Sequence, residues 1–335
     1  MSSPPLRPPG APVVTGPRVD VAAPGVVVSG LGVRYGQLRA VDGLSLEAPA
    51  GGVTALLGPN GAGKSSTVEC CVGLRRPDAG EVKVLGLDPV QDARALRPRV
   101  GVMLQDGGLP SGAPAGQVLR HIASMYGRPR AVPELAERLG IDRFARTTVR
   151  RLSGGERQRL ALATAVVGQP EVVFLDEPSA GLDPQARNAV WELISELRTG
   201  GTTIVLTTHQ MGEAEVLADH VVIVDHGSVL AAGSVSALVG DSTTMAVTPG
   251  PGIGLADACA GLQASLDRRP GAVVGSSQVR VTPDGRLEVA GADVTALLSS
   301  ISGWAQAAGV TLTSVTTGRR SLEDVFLDLT GRTLR

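Results

Sequence analysis

The sequence predicts an α/β fold: a mixed sheet with a helical insertion and N-terminal antiparallel strands, followed by a small α+β domain. Three observations predict it. Apolar runs of strand length (Val53 to Leu57, Val100 to Leu104, Val172 to Leu175, Thr203 to Thr208) alternate with stretches of helical spacing. The first of these runs turns through glycines straight into a helix. A shift to Gly, Pro, Ser and Thr at Gly240 to Gly254 then divides a chain of 335 residues, longer than one compact domain needs.

Taken in order, Met1 to about Gly25 holds seven of the 23 prolines and few large apolar residues, so residues 1–25 are expected to be a disordered tail. Val26 to Tyr35 and Val41 to Glu47 read as two strands around a Gly36-Gln37 turn. Tyr35 has an ordinary role in strand packing and a sharper one as an adenine platform. Next comes the strand–turn–helix at Thr54 to Thr67, TALLGPNGAGKSST, which fits the phosphate cradle G-x-x-x-x-G-K-[ST]. Its glycines, Gly58, Gly61 and Gly63, with Pro59, Asn60 and Ala62 between them, let backbone N–H groups converge on phosphate oxygens. The helix N-terminus adds unpaired donors and the positive end of its dipole. Lys64 is placed for the β- and γ-phosphates, the Ser65 hydroxyl suits Mg²⁺, and Ser66 continues the cradle. This part of the chain binds a nucleoside triphosphate.

Val82 to Leu85 and Val100 to Leu104 read as further strands, the second running into Gln105 and a glycine-rich exit, Asp106-Gly107-Gly108-Leu109-Pro110. Helices at Ala115 to Tyr126 and Pro133 to Leu139 make residues 106–150 a mostly helical insertion, whose arginines are largely a solvated face. Ser153 with Glu156 three residues on is a capping box that opens a helix. Gly154 and Gly155 leave bare N–H groups at its mouth, a second phosphate-facing terminus with no lysine of its own.

Val172 to Glu177 is a buried strand ending in paired carboxylates, at the sheet edge where α/β folds bind ligands. Asp176 is assigned to the Mg²⁺ shell and Glu177 to orienting or deprotonating the attacking water. Ser179 to Asp183 make a turn, and Pro184 to Leu197 a helix with proline at its first position. Thr203 to Thr208 is a strand that places His209 at the same edge, within reach of a γ-phosphate. A hairpin, Val221 to Val224 and Val229 to Ala232, closes the domain expected over 26–240.

The boundary falls in a linker at 241–254, a strand is read near Met245 to Thr248, and residues 255–335 are expected to form an α+β interaction domain without a catalytic constellation. Its last helix opens on Ser321 and Asp324 and carries Leu322, Val325, Phe326 and Leu329 on one face.

Composition narrows the class. With 31 basic against 32 acidic residues the chain has no electrostatic footprint for nucleic acid, and none is expected as a partner. Only 2% of residues are aromatic, so the core is built from Val, Leu, Ile and Ala. The three cysteines form neither a disulfide framework nor a metal pattern; Cys70 and Cys71 read as small apolar residues. No run is long enough to cross a bilayer and no secretory leader is seen, which points to the cytosol.

Residues 26 to 235 resemble the ATP-binding subunit of an ABC transporter, a P-loop NTPase. They contain the Walker A element GPNGAGKS, the signature LSGGE, the Walker B strand VVFLDE and the switch histidine of LTTHQ, in that family's order. The ending RRSLEDVFLDLTGR resembles exporter subunits of the daunorubicin/doxorubicin-resistance type. One stretch differs from the family: after Gln105, Ala115-Gly116-Gln117-Val118 stands where an acidic-Asn-Leu segment is common. The resemblance implies that Tyr35 stacks on adenine and that Gly58 to Ser66 hold the phosphates. Gln105 would sense Mg²⁺ and the attacking water, Glu177 act as general base and His209 contact the γ-phosphate. Ser153, Gly154 and Gly155 would complete the site of the opposite protomer, with Asp183 linking the two sites. It also implies the cofactors ATP and Mg²⁺, a homodimer closed around them, and a separate integral-membrane permease holding the chain on the inner face of the membrane. The expected activity is ATP hydrolysis that powers transport, as export of a drug-like or lipophilic compound. The alternative is a soluble ATPase of the same type acting on ribosomes or DNA; such proteins typically carry two cassettes or a long coiled coil, and this chain has neither.

Overall fold

The computed structural model describes residues 24–105, 108–240, 243–268, 279–282, 285–291 and 294–331. The expected tail up to residue 23, Asp106 and Gly107 of the exit loop, residues 241–242 of the expected linker, and residues 269–278, 283–284, 292–293 and 332–335 of the expected interaction domain lie outside the described residues. The chain divides into two compact units, one reaching to Leu238 and including the chain from Leu329, the other Val239–Asp328.

The first unit opens with β1 (Pro24–Tyr35) and β2 (Leu38–Pro49), an antiparallel pair joined through Gly36 at φ 60°. With β4 (Ala79–Val84) they form a three-stranded antiparallel sheet in the order β2-β1-β4. A six-stranded sheet contains β3 (Val53–Leu57), β5 (Val100–Met103), β6 (Val172–Asp176), β7 (Thr203–Thr208), β8 (His220–Asp225) and β9 (Ser228–Gly233), in the order β5-β6-β7-β3-β8-β9. Its strands are parallel except β9, which returns antiparallel on β8. Every residue of β3, β6 and β7 is buried, which is why these strands read as continuous apolar runs rather than alternating ones.

The helix α1 (Lys64–Cys71) lies between the two sheets, packing on β1, β2, β4 and β6. One core joins Val26, Val28 and Val84 of the small sheet to Val68 and Cys70 of α1 and to Phe174 and Val205 of the large one. Each such fully buried side chain stabilises the fold by about 1.5–3 kcal/mol relative to exposure. The apolar spacing extends α1 to Leu74, but the helix stops at Cys71. Gly73, at φ 72°, turns the chain, Leu74 N–H bonds back to the Glu69 carbonyl, and Leu74 is exposed.

Burial pushes the Cys70 thiol up to about 11 and raises that of Cys71 as well. Both are expected to resist iodoacetamide in the native chain at neutral pH and to label on denaturation. Fast native labelling of either, mapped by mass spectrometry, would contradict the burial.

The insertion holds α3 (Ala115–Ala123), α4 (Val132–Arg138) and two short 3-10 turns. Arg130 and Arg138 both reach Glu196 of α6 (Pro184–Thr199), so two of its arginines tie it to that helix at the surface. The helix α5 (Gly154–Val166) follows the insertion. Three short helices had no sequence signal: α2 (Ala93–Leu96), α7 (Met211–Leu217) and α8 (Val235–Val239). Neither α2 nor α7 has a capping side-chain bond to announce it.

In the second unit β10 (Thr243–Pro249), β11 (Val279–Val281), β12 (Leu287–Gly291) and β13 (Leu312–Arg319) form an antiparallel sheet in the order β11-β12-β10-β13. Helices α9 (Leu255–Asp267) and α10 (Val294–Ala308) bring Leu262, Leu266, Leu297, Ile301 and Trp304 onto Met245, Val247, Leu287 and Val289. The range 241–254 is therefore not merely a linker. The strand read near Met245 to Thr248 is present as β10, and its Met245 and Val247 are core. The last helix, α11 (Leu322–Thr330), has its Ser321–Asp324 cap and buries Leu322, Val325 and Phe326. Leu329 is exposed, because burial of that stripe ends one turn before the helix does.

Candidate functional site

Parallel pairing decides where the functional residues meet. The registers Leu57↔Thr208 and Asp176↔Thr207 align the carboxyl ends of β3, β6 and β7, and Met103↔Leu175 adds the end of β5. The glycine turn, Gln105, Asp176, Glu177 and His209 all leave the sheet at that edge.

The turn is shaped by close approach. A Cβ on Gly58 would stand 2.2 Å from the Val224 carbonyl oxygen, and Gly63 has φ 98° with the Ala40 carbonyl 2.5 Å from where its Cβ would lie. Gly63 is the N-cap of α1 and offers no side-chain acceptor, so the N–H groups of the first turn remain open for an anion. Behind it, Gly227 N–H donates to the Ala62 carbonyl at 3.1 Å, and the Gly227 carbonyl accepts from Asp42 N–H at 2.9 Å. The β8–β9 turn thus buttresses the cradle.

Lys64 is buried, its Nζ donating to the carbonyls of Gly58 at 2.7 Å and Pro59 at 3.0 Å. Burial holds its pKa below the ordinary lysine value, against the raising pull of Glu177 and then Asp176. An ammonium desolvated by the protein and satisfied only by two carbonyls is ready to exchange them for phosphate oxygens. Ser65 is exposed on the same turn.

Asp176 is buried and one carboxylate oxygen accepts from the Thr207 hydroxyl. Glu177 N–H donates to the Thr207 carbonyl at 3.0 Å and its Oγ1 at 3.2 Å, so Thr207 fixes both acids. Glu177 is held at φ 51°, a left-handed conformation uncommon for a residue with a side chain. His209 Nδ1 lies 2.9 Å from Glu177 Oε1. The Gln158 side-chain amide on α5 donates to the Glu177 carbonyl, linking the helix that follows the signature to this acid. Thr207 and Gln158 have no sequence signal, since their roles exist only once β6, β7 and α5 are packed.

Tyr35 is 46% exposed, its hydroxyl 3.2 Å from Ser66 Oγ and 3.3 Å from Glu69 Oε2. It is therefore not a packing residue. Gln105 is exposed two residues beyond β5. Among the described residues no group of three or more His, Cys, Asp or Glu is arranged for a metal.

Ser153 caps α5 with both bonds of the capping box, Glu156 N–H to its Oγ and its own N–H to Glu156 Oε2. Ser153 and Gly154 are exposed, and among the described residues no hydrogen bond joins them to the glycine turn. Asp183 caps α6, accepting from Ala186 N–H at 2.9 Å, a bond that holds its carboxyl below the usual range.

Among the described residues no helix is long and apolar enough to cross a membrane. The sequence matches the family model described as ABC transporter over residues 41–180. It is 40% identical over 316 residues to the daunorubicin resistance ATP-binding protein DrrA3 of Streptomyces coeruleorubidus, covering 91% of this chain and 96% of that protein. To the Nod factor export ATP-binding protein I of Ralstonia nicotianae it is 40% identical over 223 residues, covering 65% of this chain and 70% of that one. Of solved structures, an ATP-binding subunit of an ABC transporter superposes with a TM-score of 0.59 at 28% identity, covering 64% of this chain and 91% of its own. A dimeric ATP-binding cassette in a post-hydrolysis state with ADP and Pi bound gives 0.56 at 23% identity, covering 62% and 98%. A full-length relative, the matching family and a phosphate cradle facing paired acids agree: this chain belongs to the ABC transporter family, as one of its ATP-binding, ATP-hydrolysing subunits.

Proposed function

We propose that two copies of this chain close around two ATP–Mg²⁺ and drive a separate integral-membrane permease, exporting a drug-like or lipophilic compound. Subunits of this family dimerise and work with membrane permeases. Export is supported by the names of relatives that are resistance and export proteins. Those names also favour it over the ribosome- or DNA-directed alternative.

In this reading Gly58 to Ser66 and Lys64 of one protomer bind the triphosphate, Tyr35 stacks on the base, and Ser153, Gly154 and Gly155 of the other protomer cap the γ-phosphate. Charge-assisted bonds of about 1.5–3 kcal/mol each make closure depend on that phosphate. Ser65, Gln105 and Asp176 hold Mg²⁺, which when bound neutralises charge on the β- and γ-phosphates. Glu177 takes the proton of the water whose oxygen bonds to the γ-phosphorus, as the bond to the bridging β–γ oxygen breaks and ADP leaves. His209, bonded to Glu177, orients that carboxylate and touches the γ-phosphate. Asp183 lies beside the signature and relays closure between the two sites. Loss of the phosphate loosens the pair, turning the chemistry into an opening and closing stroke. The permease holds the subunit at the inner face of the membrane.

The observation that carries this reading is the signature itself, an exposed helix mouth at Ser153 and Gly154 that, among the described residues, makes no hydrogen bond to the glycine turn of its own chain. A Cβ on Gly154 meets nothing within 4 Å, so Gly154→Asp is tolerated by the fold while placing a carboxylate in the mouth. The variant is expected to bind ATP as the wild type does, yet to stay monomeric with ATP–Mg²⁺ and to lose turnover. Light scattering against an ATP titration checks it, and an ATP-dependent dimer that still forms would overturn the sandwich.

A further inference from the structure

Tyr35, at the end of β1, is tied to the helix that follows the glycine turn, and a cation stands over its ring. The Arg75 guanidinium lies over the Tyr35 ring, its Cζ 4.0 Å from the centroid. Arg75 follows α1 by four residues and is fastened there. Its Nη2 donates to the Arg34 carbonyl at 2.5 Å, and it pairs with Asp78 at 3.8 Å, which itself accepts from Arg34 N–H at 2.8 Å. Its Nε is buried without a hydrogen-bond partner, so the ring is the group it meets on that side. The Tyr35 hydroxyl is tied to Ser66 and Glu69 of α1. The tip of the ring is thus tied to α1 and one face is covered by Arg75, while the residue as a whole stays 46% exposed.

We propose that Arg75 is a positioning residue for nucleotide recognition, clamping Tyr35 so that its open face is preset for the adenine. This rests on the reading of Tyr35 as the base platform and adds what holds it. A cation on the rear face draws on the ring's negative quadrupole, so the open face repels an incoming π-system less. Because α1 carries Lys64 and Ser65 at its start, Ser66 and Glu69 in its middle and Arg75 just past its end, one rigid element spaces the phosphate end from the base end. Arg75 acts only through Tyr35 and touches no nucleotide atom itself.

The test compares ATP with inorganic tripolyphosphate, which offers the phosphates without the base, as ligands of the full-length chain with Mg²⁺. Tyr35→Ala is expected to weaken ATP about 5-fold or more, the range of base–aromatic stacking, and to leave tripolyphosphate unchanged. Arg75→Gln, which keeps a polar side chain but loses the charge and the guanidinium plane, is expected to weaken ATP about 2–5-fold with tripolyphosphate again unchanged, and Arg75→Lys to recover most of the loss. In the Tyr35→Ala background Arg75→Gln should add nothing, since its effect passes through the ring. An Arg75→Gln chain with wild-type ATP affinity, with tripolyphosphate weakened equally, or with the same loss in the absence of Tyr35 overturns the clamp and leaves the platform standing. If Tyr35→Ala itself leaves the ratio of the two affinities unchanged, the platform reading fails and the clamp with it.

Discussion

Glu177→Gln is expected to slow ATP hydrolysis by roughly 10²–10⁴-fold, the worth of a positioned general base, while ATP still binds. The substitution is nearly isosteric, and the features that hold residue 177 in place do not depend on its charge. Its N–H is fixed by Thr207, its carbonyl by Gln158, and its side chain can still bond His209. What disappears is an acceptor basic enough to take a proton from water. With cleavage blocked, the ATP-bound dimer should persist and elute at twice the subunit mass. Phosphate release measured beside ATP binding separates the steps, and a variant turning over at wild-type speed would remove Glu177 from this role.

Lys64→Ala acts on the preceding step. It is expected to weaken ATP binding about 10-fold or more, the value of one to two charge-assisted hydrogen bonds. The lysine is already desolvated, and its pKa below the ordinary value means that folding disfavours its charged form. Stability is therefore lower while Lys64 is protonated and recovers as pH rises through its lowered folded value. Removing the side chain relieves that cost but also loses the bonds to Gly58 and Pro59, so the unliganded fold should change little. The expected signature is a melting temperature near wild type without ATP and a much smaller rise than the wild type's when ATP is added. An undiminished ATP-induced shift would contradict the cradle.

Much of this was legible before any coordinates. The strand–glycine–lysine turn, the Ser153–Glu156 cap and the strand ending in Asp176 and Glu177 are local patterns, in which a few consecutive residues specify both conformation and chemistry. Element boundaries were less legible. Leu74 continues a helical spacing that a Schellman turn at Gly73 cuts short, and β10, read near Met245 to Thr248, starts already at Thr243 within the stretch whose composition reads as a connector.

What the sequence by itself determined is the set of binding groups and their order along the chain. Only the tertiary structure decided how they are held. Parallel pairing of β5, β6, β7 and β3 brings residues about 30–150 positions apart to one edge, because in such a sheet every strand delivers its carboxyl end on the same side. Thr207 over the two acids, Gln158 on the Glu177 carbonyl and Arg75 behind Tyr35 are contacts across elements. No local pattern encodes them, since each depends on where a distant strand or helix comes to rest.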